Sequence, residues 1–97
     1  MPAYLIVEIR GVRDEQTYAR YRDRVSAQLA AFGGQYLVRG GKAERLEGEW
    51  EPRRIVVVKF ESAQAAKRWW SSEDYRELRE MRQASTETNM ILVEGIS

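Results

Sequence analysis

The stretch that decides the fold is Phe32-Gly33-Gly34-Gln35-Tyr36-Leu37-Val38-Arg39-Gly40-Gly41, which lies between a long amphipathic segment and the next apolar run. Two glycine pairs bracket a short run of apolar and aromatic residues that contains one arginine. Glycine adopts turn conformations more readily than other residues, so the pairs predict a turn at each end of a short strand. That strand would hold Tyr36 and Arg39 in fixed positions.

Upstream of this stretch, the sequence predicts one strand and one helix. Residues 4–9 are rich in β-branched and aromatic side chains and stop before Gly11, which predicts the first strand. Asp14 is a favourable N-cap residue, and apolar side chains then recur at spacings of three and four. They are Tyr18, Tyr21, Val25, Leu29 and Phe32. We therefore expect helix one to end at Gly33.

Downstream, two more strands are predicted. Strand two covers residues 35–39, and the sequence is also compatible with a longer strand that continues to Glu47. A turn near Trp50 then leads into strand three, at residues 54–60. With the turn there, the start of strand two would overhang strand three and need another partner. The alternative is a bulge at Gly40-Gly41, which would let strand two pair within its own chain.

The C-terminal part predicts a second helix and a fourth strand. Ser62 caps this helix, and Ser72 is a second cap at which the helix is expected to break or kink. Residues 89–94 form the last predicted strand. The order βαββαβ is that of ferredoxin-like α+β folds, in which a four-stranded antiparallel sheet has two helices on one face. Residues 1–97 are expected to form a single domain.

Three of the predicted strands contain unbroken apolar runs, at residues 4–7, 55–58 and 90–93. Side chains alternate faces along a strand, so these strands are apolar on both faces. Two helices cover one face only, and the other face needs cover from elsewhere. A second copy of the chain is the simplest cover, so we expect a homodimer, with a monomer as the alternative.

Composition excludes several partners and sites. The net charge is +1, from sixteen basic and fifteen acidic residues without a block of like charge, so we expect no nucleic acid and no membrane as a partner. The sequence contains neither cysteine nor histidine, so we expect no metal site and no cofactor. The N-terminus leads straight into a strand without a leader pattern, which predicts a cytoplasmic protein.

Arginines beside aromatic residues are the candidate ligand-binding residues. On helix two, Tyr75, Leu78, Arg79 and Arg82 project within about 60° of one direction. A guanidinium on a core-directed face needs an anion, which is either a carboxylate of the protein or a ligand. The full candidate set is Tyr36, Arg39, Trp69, Tyr75, Arg79 and Arg82. No catalytic residue is predicted.

Three charged residues near strand ends form a second candidate group. By alternation, Glu8, Lys59 and Glu94 are expected to face the partner sheet. They would form either an interface network or a set of groups for proton transfer.

Several stretches, in order, resemble one family. They are Gly33 to Gly41, Leu46 to Arg54, Phe60-Glu61-Ser62 with Ala65-Ala66, Tyr75 to Arg82, and Val93-Glu94-Gly95. Over essentially its whole length the chain resembles the domain-of-unknown-function family 1330 (DUF1330). The resemblance implies the dimeric alpha-beta barrel superfamily, which includes cofactor-free monooxygenases, haem-degrading enzymes and lactone isomerases. The family has no established reaction, so an enzymatic function by this route is an analogy from the fold.

Two functions are compatible with the sequence. In the first, a homodimer binds a small anionic, partly apolar metabolite between the sheet and helix two, or converts it as a cofactor-independent monooxygenase- or isomerase-like enzyme. In the second, the chain is a non-catalytic dimeric structural or interaction protein. A cavity lined by the candidate residues favours the first function. A dry interior with Arg39, Arg79 and Arg82 each paired to a carboxylate favours the second.

Overall fold

The computed structural model describes residues 1–96, which form one antiparallel sheet with three helices on one of its faces. The strands are β1 (Ala3–Val12), β2 (Gln35–Gly41), β3 (Arg54–Phe60) and β4 (Thr86–Glu94). The helices are α1 (Glu15–Ala31), α2 (Ala63–Ser71) and α3 (Glu73–Ser85). This order confirms the predicted ferredoxin-like α+β fold, with the second predicted helix divided in two. Within residues 1–96, the helices are too short or too polar to cross a bilayer.

Side-chain caps fix where the helices begin and end. Asp14 accepts a hydrogen bond from the Thr17 backbone N–H at 3.1 Å, and α1 starts there. Ser72 accepts from the Tyr75 backbone N–H at 3.1 Å and donates its hydroxyl to the Trp69 carbonyl at 2.8 Å. The same serine therefore ends α2 and starts α3, which confirms the predicted break.

The sheet has the strand order β2-β3-β1-β4, so β2 and β4 are its edges. β2 ends at Gly41 and does not extend through the following loop. The predicted overhang is wrong, because Gln35 pairs with Lys59 and Gly41 pairs with Ile55. β2 is therefore paired with β3 along its length within one chain, as the bulge alternative requires.

Two bulges in β2 decide which of its side chains face the helices. The register shifts at Leu37, between Tyr36 and Val38, and again at Gly40. In a regular strand Tyr36 and Arg39 would face opposite sides, because they are three residues apart. The first bulge turns both towards the helices, where the Arg39 Cζ lies 4.6 Å from the centre of the Tyr36 ring. Gly40 adopts a positive φ of 75°, which favours glycine.

The hydrophobic core lies between the sheet and the helices. Its most completely buried large side chains include Trp69, Tyr75, Phe60 and Val58. The centres of the Trp69 and Tyr75 rings are 4.0 Å apart, so α2 and α3 are joined by an aromatic contact across the break at Ser72. Removing the Phe60 or the Val58 side chain from water stabilises the fold by roughly 1.5 to 3 kcal/mol.

The other face of the sheet, which we call the open face, is covered by none of the helices. Its apolar residues are Ile6, Val38, Ile55, Val57, Ile91 and Val93. Ile91 is 58% exposed and Val93 is 42% exposed. Glu8 and Lys59 lie on this face as predicted, but the expectation for Glu94 is wrong. Glu94 pairs with the buried Ala3 and therefore belongs to the helix-covered face.

Glu8 connects the loop before β3 to the open face through hydrogen bonds. Its Oε2 accepts hydrogen bonds from Trp50 Nε1 at 2.8 Å, from the Arg53 backbone N–H at 3.1 Å and from Arg10 Nη1 at 2.8 Å. Burial by itself would raise the pKa of Glu8, but these donors outweigh it and lower the pKa to about 2. The carboxylate is therefore ionised at neutral pH and organises three donors around one oxygen.

Candidate functional site

A cavity of about 50 Å³ lies inside the core, between the sheet and the helices. Aliphatic side chains of β1, β3 and β4 form its floor. Its polar and aromatic lining consists of Tyr18, Tyr21, Arg22, Tyr36, Arg39, Arg54, Trp69 and Arg82. Four arginines surround the space, and no carboxylate from residues 1–96 lines it. The charged side chains that line this inner cavity are therefore all cationic.

Arg82 is the most buried of the four arginines, with 5% of its surface exposed. Its Nε donates to the Tyr75 hydroxyl at 3.3 Å, and none of the ion pairs formed within residues 1–96 includes it. Burial lowers the pKa of Arg82, but the Tyr75 and Tyr21 hydroxyls outweigh this effect and raise the pKa above its ordinary value. Arg82 is thus a buried cation that an anion in the cavity would stabilise.

A chain of hydrogen bonds runs from Arg82 to the cavity. The Tyr75 hydroxyl oxygen accepts from Arg82 and lies 2.8 Å from the Tyr21 hydroxyl oxygen. Tyr75 is completely buried, and Tyr21 is the acceptor available for its proton among residues 1–96. The Tyr21 proton is then free to donate into the cavity, which Tyr21 lines. Burial, with Tyr75 beside it, raises the pKa of Tyr21 well above its ordinary value, so Tyr21 keeps this proton at neutral pH.

Two exposed arginines stand at the entrance to the cavity, between α1 and β2. The Arg22 Cζ lies 5.1 Å from the centre of the Tyr18 ring, and Arg39 is stacked in the same way on Tyr36. Arg39 Nη2 also donates to the Arg22 carbonyl at 3.5 Å. Stacking keeps both guanidinium groups beside the entrance, where they would attract an approaching anion.

Two further N–H donors of the lining have no hydrogen-bond partner among the residues described. They are Arg54 Nε and Trp69 Nε1, both of which are buried. The Arg54 guanidinium occupies the space beside Gly40, where a Cβ would lie 2.7 Å from its Cζ. Buried donors without acceptors cost free energy, and a ligand that carries acceptor atoms would remove part of that cost.

The structure brings most of the predicted ligand residues together. Tyr36, Arg39, Trp69 and Arg82 line the inner cavity. Tyr75 lies one layer behind and acts through its contacts with Arg82 and Tyr21. Arg79 is elsewhere, because its side chain bends back over the end of α2. There its Nη1 donates to the Trp70 carbonyl, and its Cζ lies 4.7 Å from the centre of the Trp70 ring.

The polar and aromatic lining residues that were not predicted are Tyr18, Tyr21, Arg22 and Arg54. Arg54 has the same strand parity as Val56 and Val58, which face the helices, so alternation could have placed it in the lining. Arg22 follows Tyr18 by four residues, which indicates the same side of the helix. The contact of Tyr21 with Tyr75 spans 54 positions and leaves no signal in the sequence.

Several solved structures have the same fold. A protein of unknown function from Rhodopseudomonas palustris is 18% identical, with a TM-score of 0.79 over 99% of this chain and 83% of that one. A dimeric ferredoxin-like protein of unknown function from Jannaschia sp. CCS1 is 14% identical, with a TM-score of 0.65 over 98% and 100%. SnoaB, a cofactor-independent oxygenase from Streptomyces nogalater, is 12% identical, with a TM-score of 0.59 over 99% and 92%. At these identities the likeness shows the fold alone.

No protein of curated function matches the sequence. The family described as a domain of unknown function (DUF1330) matches residues 2–96, which include the glycine-rich stretch before and within β2 and the arginine-bearing helix α3. This match covers nearly the whole chain and agrees with the resemblance found in the sequence. The chain belongs to the DUF1330 family.

Proposed function

We propose that this protein is a homodimeric binder of a small anionic, partly apolar molecule, whose anionic group it holds in the inner cavity. The observation that carries the proposal is Arg82, a buried guanidinium that faces a cavity and has no carboxylate partner within residues 1–96. Leaving a charge buried without a counter-ion is unfavourable, and a bound anion removes that penalty. The aliphatic floor supplies contacts for the apolar part of the ligand.

The competing function is a structural protein with its arginines in ion pairs. That hypothesis requires Arg39, Arg79 and Arg82 each to meet a carboxylate. Among residues 1–96, the ion pairs instead involve Arg10, Arg24, Arg45 and Arg76. The distribution of these pairs supports ligand binding over the structural alternative.

The chemistry of the lining supports binding more strongly than catalysis. Proton abstraction needs a base that is unprotonated at neutral pH, such as a carboxylate. The inner cavity offers guanidinium groups, the indole N–H and the protonated Tyr21 hydroxyl, all of which are hydrogen-bond donors. Such donors stabilise a carboxylate, and equally an oxyanion formed by a reactive substrate. SnoaB has the same fold and is an oxygenase, so turnover of a ligand that supplies its own electrons is the second candidate function.

A second copy of the chain would cover the open face. The apolar residues of the open face lie on adjacent strands, where Ile6 pairs with both Val57 and Ile91. Exposed contiguous apolar surface of this kind is typical of interfaces between subunits. The protein of the same fold from Jannaschia sp. CCS1 is described as dimeric, which supports the proposal of a homodimer.

A thermal-shift experiment tests the ligand site. The parent, Arg82→Met and Arg39→Met would be melted at one protein concentration with and without a panel of small carboxylates. We expect both ligand-free variants to melt close to the parent, because neither the buried Arg82 nor the exposed Arg39 leaves a carboxylate without its partner when it is replaced. A carboxylate at ten times its Kd should stabilise the parent by about 1.4 kcal/mol, a rise of several degrees in Tm, and should stabilise both variants less.

Arg79→Met is the matched control, because it removes an arginine of the same helix that lies outside the inner cavity. It should respond to the carboxylate as the parent does. The proposal is overturned if Arg82→Met loses roughly 3 to 5 kcal/mol of stability, as expected for a broken buried ion pair, and no carboxylate stabilises the parent.

A further inference from the structure

A second and larger cavity adjoins the inner one. This outer groove has a volume of about 580 Å³ and runs along β4, beside α2 and α3. Leu5, Met90 and Arg82 line both spaces. The two cavities are therefore neighbours that meet at these side chains, and Arg82 is the cation that lines both.

The two cavities offer complementary features to an anionic, partly apolar ligand. The inner cavity has the positive charge, but its volume of about 50 Å³ is far below the roughly 300 to 1,000 Å³ of typical small-molecule sites. The outer groove is large enough, and Trp70, Leu92 and Ala66 give it an apolar wall. Its cations are Arg82 and the exposed Lys67 at its rim.

We infer that the ligand is an amphipathic carboxylate with an unbranched hydrocarbon chain, which occupies both spaces at once. This inference rests on the proposed function. The carboxylate group meets Arg82 and the Tyr21 donor, since a planar two-oxygen anion matches a guanidinium and fits a small space. The hydrocarbon chain passes over Leu5 and Met90 into the outer groove and packs against Trp70.

A homologous series of ligands tests the inference. Dissociation constants for acetate, butyrate, hexanoate and octanoate would be measured by calorimetric titration of the full chain. Burial of each added methylene should raise the affinity about fourfold in the parent. Gln83→Trp places a large ring at an exposed position that lines the outer groove. In this variant we expect acetate to bind as in the parent and the gain with chain length to disappear.

Gln64→Trp is the matched control, because Gln64 is an exposed residue of α2 that does not line the groove. It should keep the gain with chain length. Lys67→Met should leave octanoate binding unchanged, whereas Arg82→Met should weaken it at least tenfold.

The possible outcomes separate this inference from the proposed function. If acetate and octanoate bind the parent equally well, or if Gln83→Trp keeps the full gain, the hydrocarbon chain does not lie in the outer groove and the inference is overturned while the anion site stands. Loss of octanoate binding in Lys67→Met but not in Arg82→Met would also overturn it, because the carboxylate would then lie at the rim. If no carboxylate of the series binds the parent, the proposed function itself is overturned.

Discussion

Replacement of Tyr21 tests whether the hydrogen-bond chain takes part in ligand binding. Its hydroxyl ends the chain of hydrogen bonds that starts at Arg82, and like Arg82 it lines the cavity and can donate into it. Tyr21→Phe removes this donor, so we expect carboxylate binding to weaken by about 1.5 to 3 kcal/mol, which is roughly a ten- to 150-fold rise in Kd. Titration with the carboxylate that stabilises the parent measures the change.

Tyr18→Phe is the control for this replacement. Tyr18 is buried on the same helix and lines the same cavity, but it is outside the Arg82–Tyr75–Tyr21 chain. We expect its loss to change the Kd by less than about threefold. An equal loss of affinity in Tyr18→Phe and Tyr21→Phe would show that the hydrogen-bond chain has no special role.

Glu8 should make the stability of the protein depend on pH in acid solution. Its pKa is about 2 in the folded chain and 4.5 in an unstructured one. In the window between these values the unfolded chain binds a proton that the folded chain does not, so the stabilisation is fully present above pH 4.5 and is lost as the pH falls towards 2. Urea unfolding across this window should therefore give a free energy of unfolding that rises with pH.

Glu8→Gln isolates this contribution, because the amide does not titrate. The variant should show a shallower rise over the same window, while Glu44→Gln, which changes an exposed loop residue, should keep the slope of the parent. Asp14 also has a lowered pKa, through its hydrogen bonds with Thr17, and it remains in all three proteins. Identical slopes in the parent and in Glu8→Gln would contradict the prediction.

The contrast between Arg79 and Arg82 shows where sequence reasoning stops at the residue scale. Helical periodicity correctly indicated that both arginines start on the same side of α3. It says nothing about where a long flexible side chain ends. Arg79 bends back onto Trp70, whereas Arg82 continues inward to Tyr75. The positions of the two guanidinium groups depend on tertiary contacts.

The bulges of β2 have a measurable consequence at the scale of the element. Gly40 has a positive φ and its Cα faces the Arg54 guanidinium, whereas a Cβ at Gly41 would lie 3.6 Å from Val38 Cγ1, an ordinary contact. Gly40→Ala should therefore cost on the order of 1 kcal/mol or more, which lowers Tm by roughly 4 to 8 °C. Gly41→Ala should be neutral or slightly stabilising. Thermal melts of the two variants measure the difference.

Equal melting temperatures for Gly40→Ala and Gly41→Ala would contradict this assignment of the second bulge. The pair is well matched, since the two glycines are adjacent in one edge strand and differ in backbone conformation.

Secondary structure was predictable from the sequence because its signals are local. The N-cap of α1 at Asp14 and the break at Ser72 were both found from cap residues and periodicity. The register of β2 was not predictable, because a bulge depends on which strand lies beside it. The sequence also did not show which side chains of β4 face the helices. The run Met90 to Val93 is apolar on both faces, so it gives no preference between two registers that differ by one residue.

At the scale of the whole molecule, the open face predicts a dimer. Light scattering at micromolar concentration should give about twice the 11.3 kDa mass of the chain, with little effect of salt because apolar burial holds the interface. Val93→Glu places a charge on the open face and should shift the protein to the monomer. Leu46→Glu, at a loop residue that is 91% exposed, should leave the dimer intact.

A parent that stays monomeric at high concentration would contradict the dimer, as would a Val93→Glu variant that keeps the mass of the parent.

The fold class and the apolar open face were both visible in the sequence, because they follow from element order and alternation. The inner cavity was not visible, since its lining comes from four strands and three helices that only the folded chain brings together.

The inner cavity lies within the hydrophobic core, and this position links its occupancy to the lifetime of the protein in a cell. A molecule that fills it packs against the same side chains that hold the sheet to the helices, so its binding free energy is added to the free energy of unfolding. Proteases degrade the unfolded fraction, which falls as the ligand concentration rises above its Kd. The steady-state amount of this protein should therefore follow the concentration of its ligand, even when synthesis of the chain is constant.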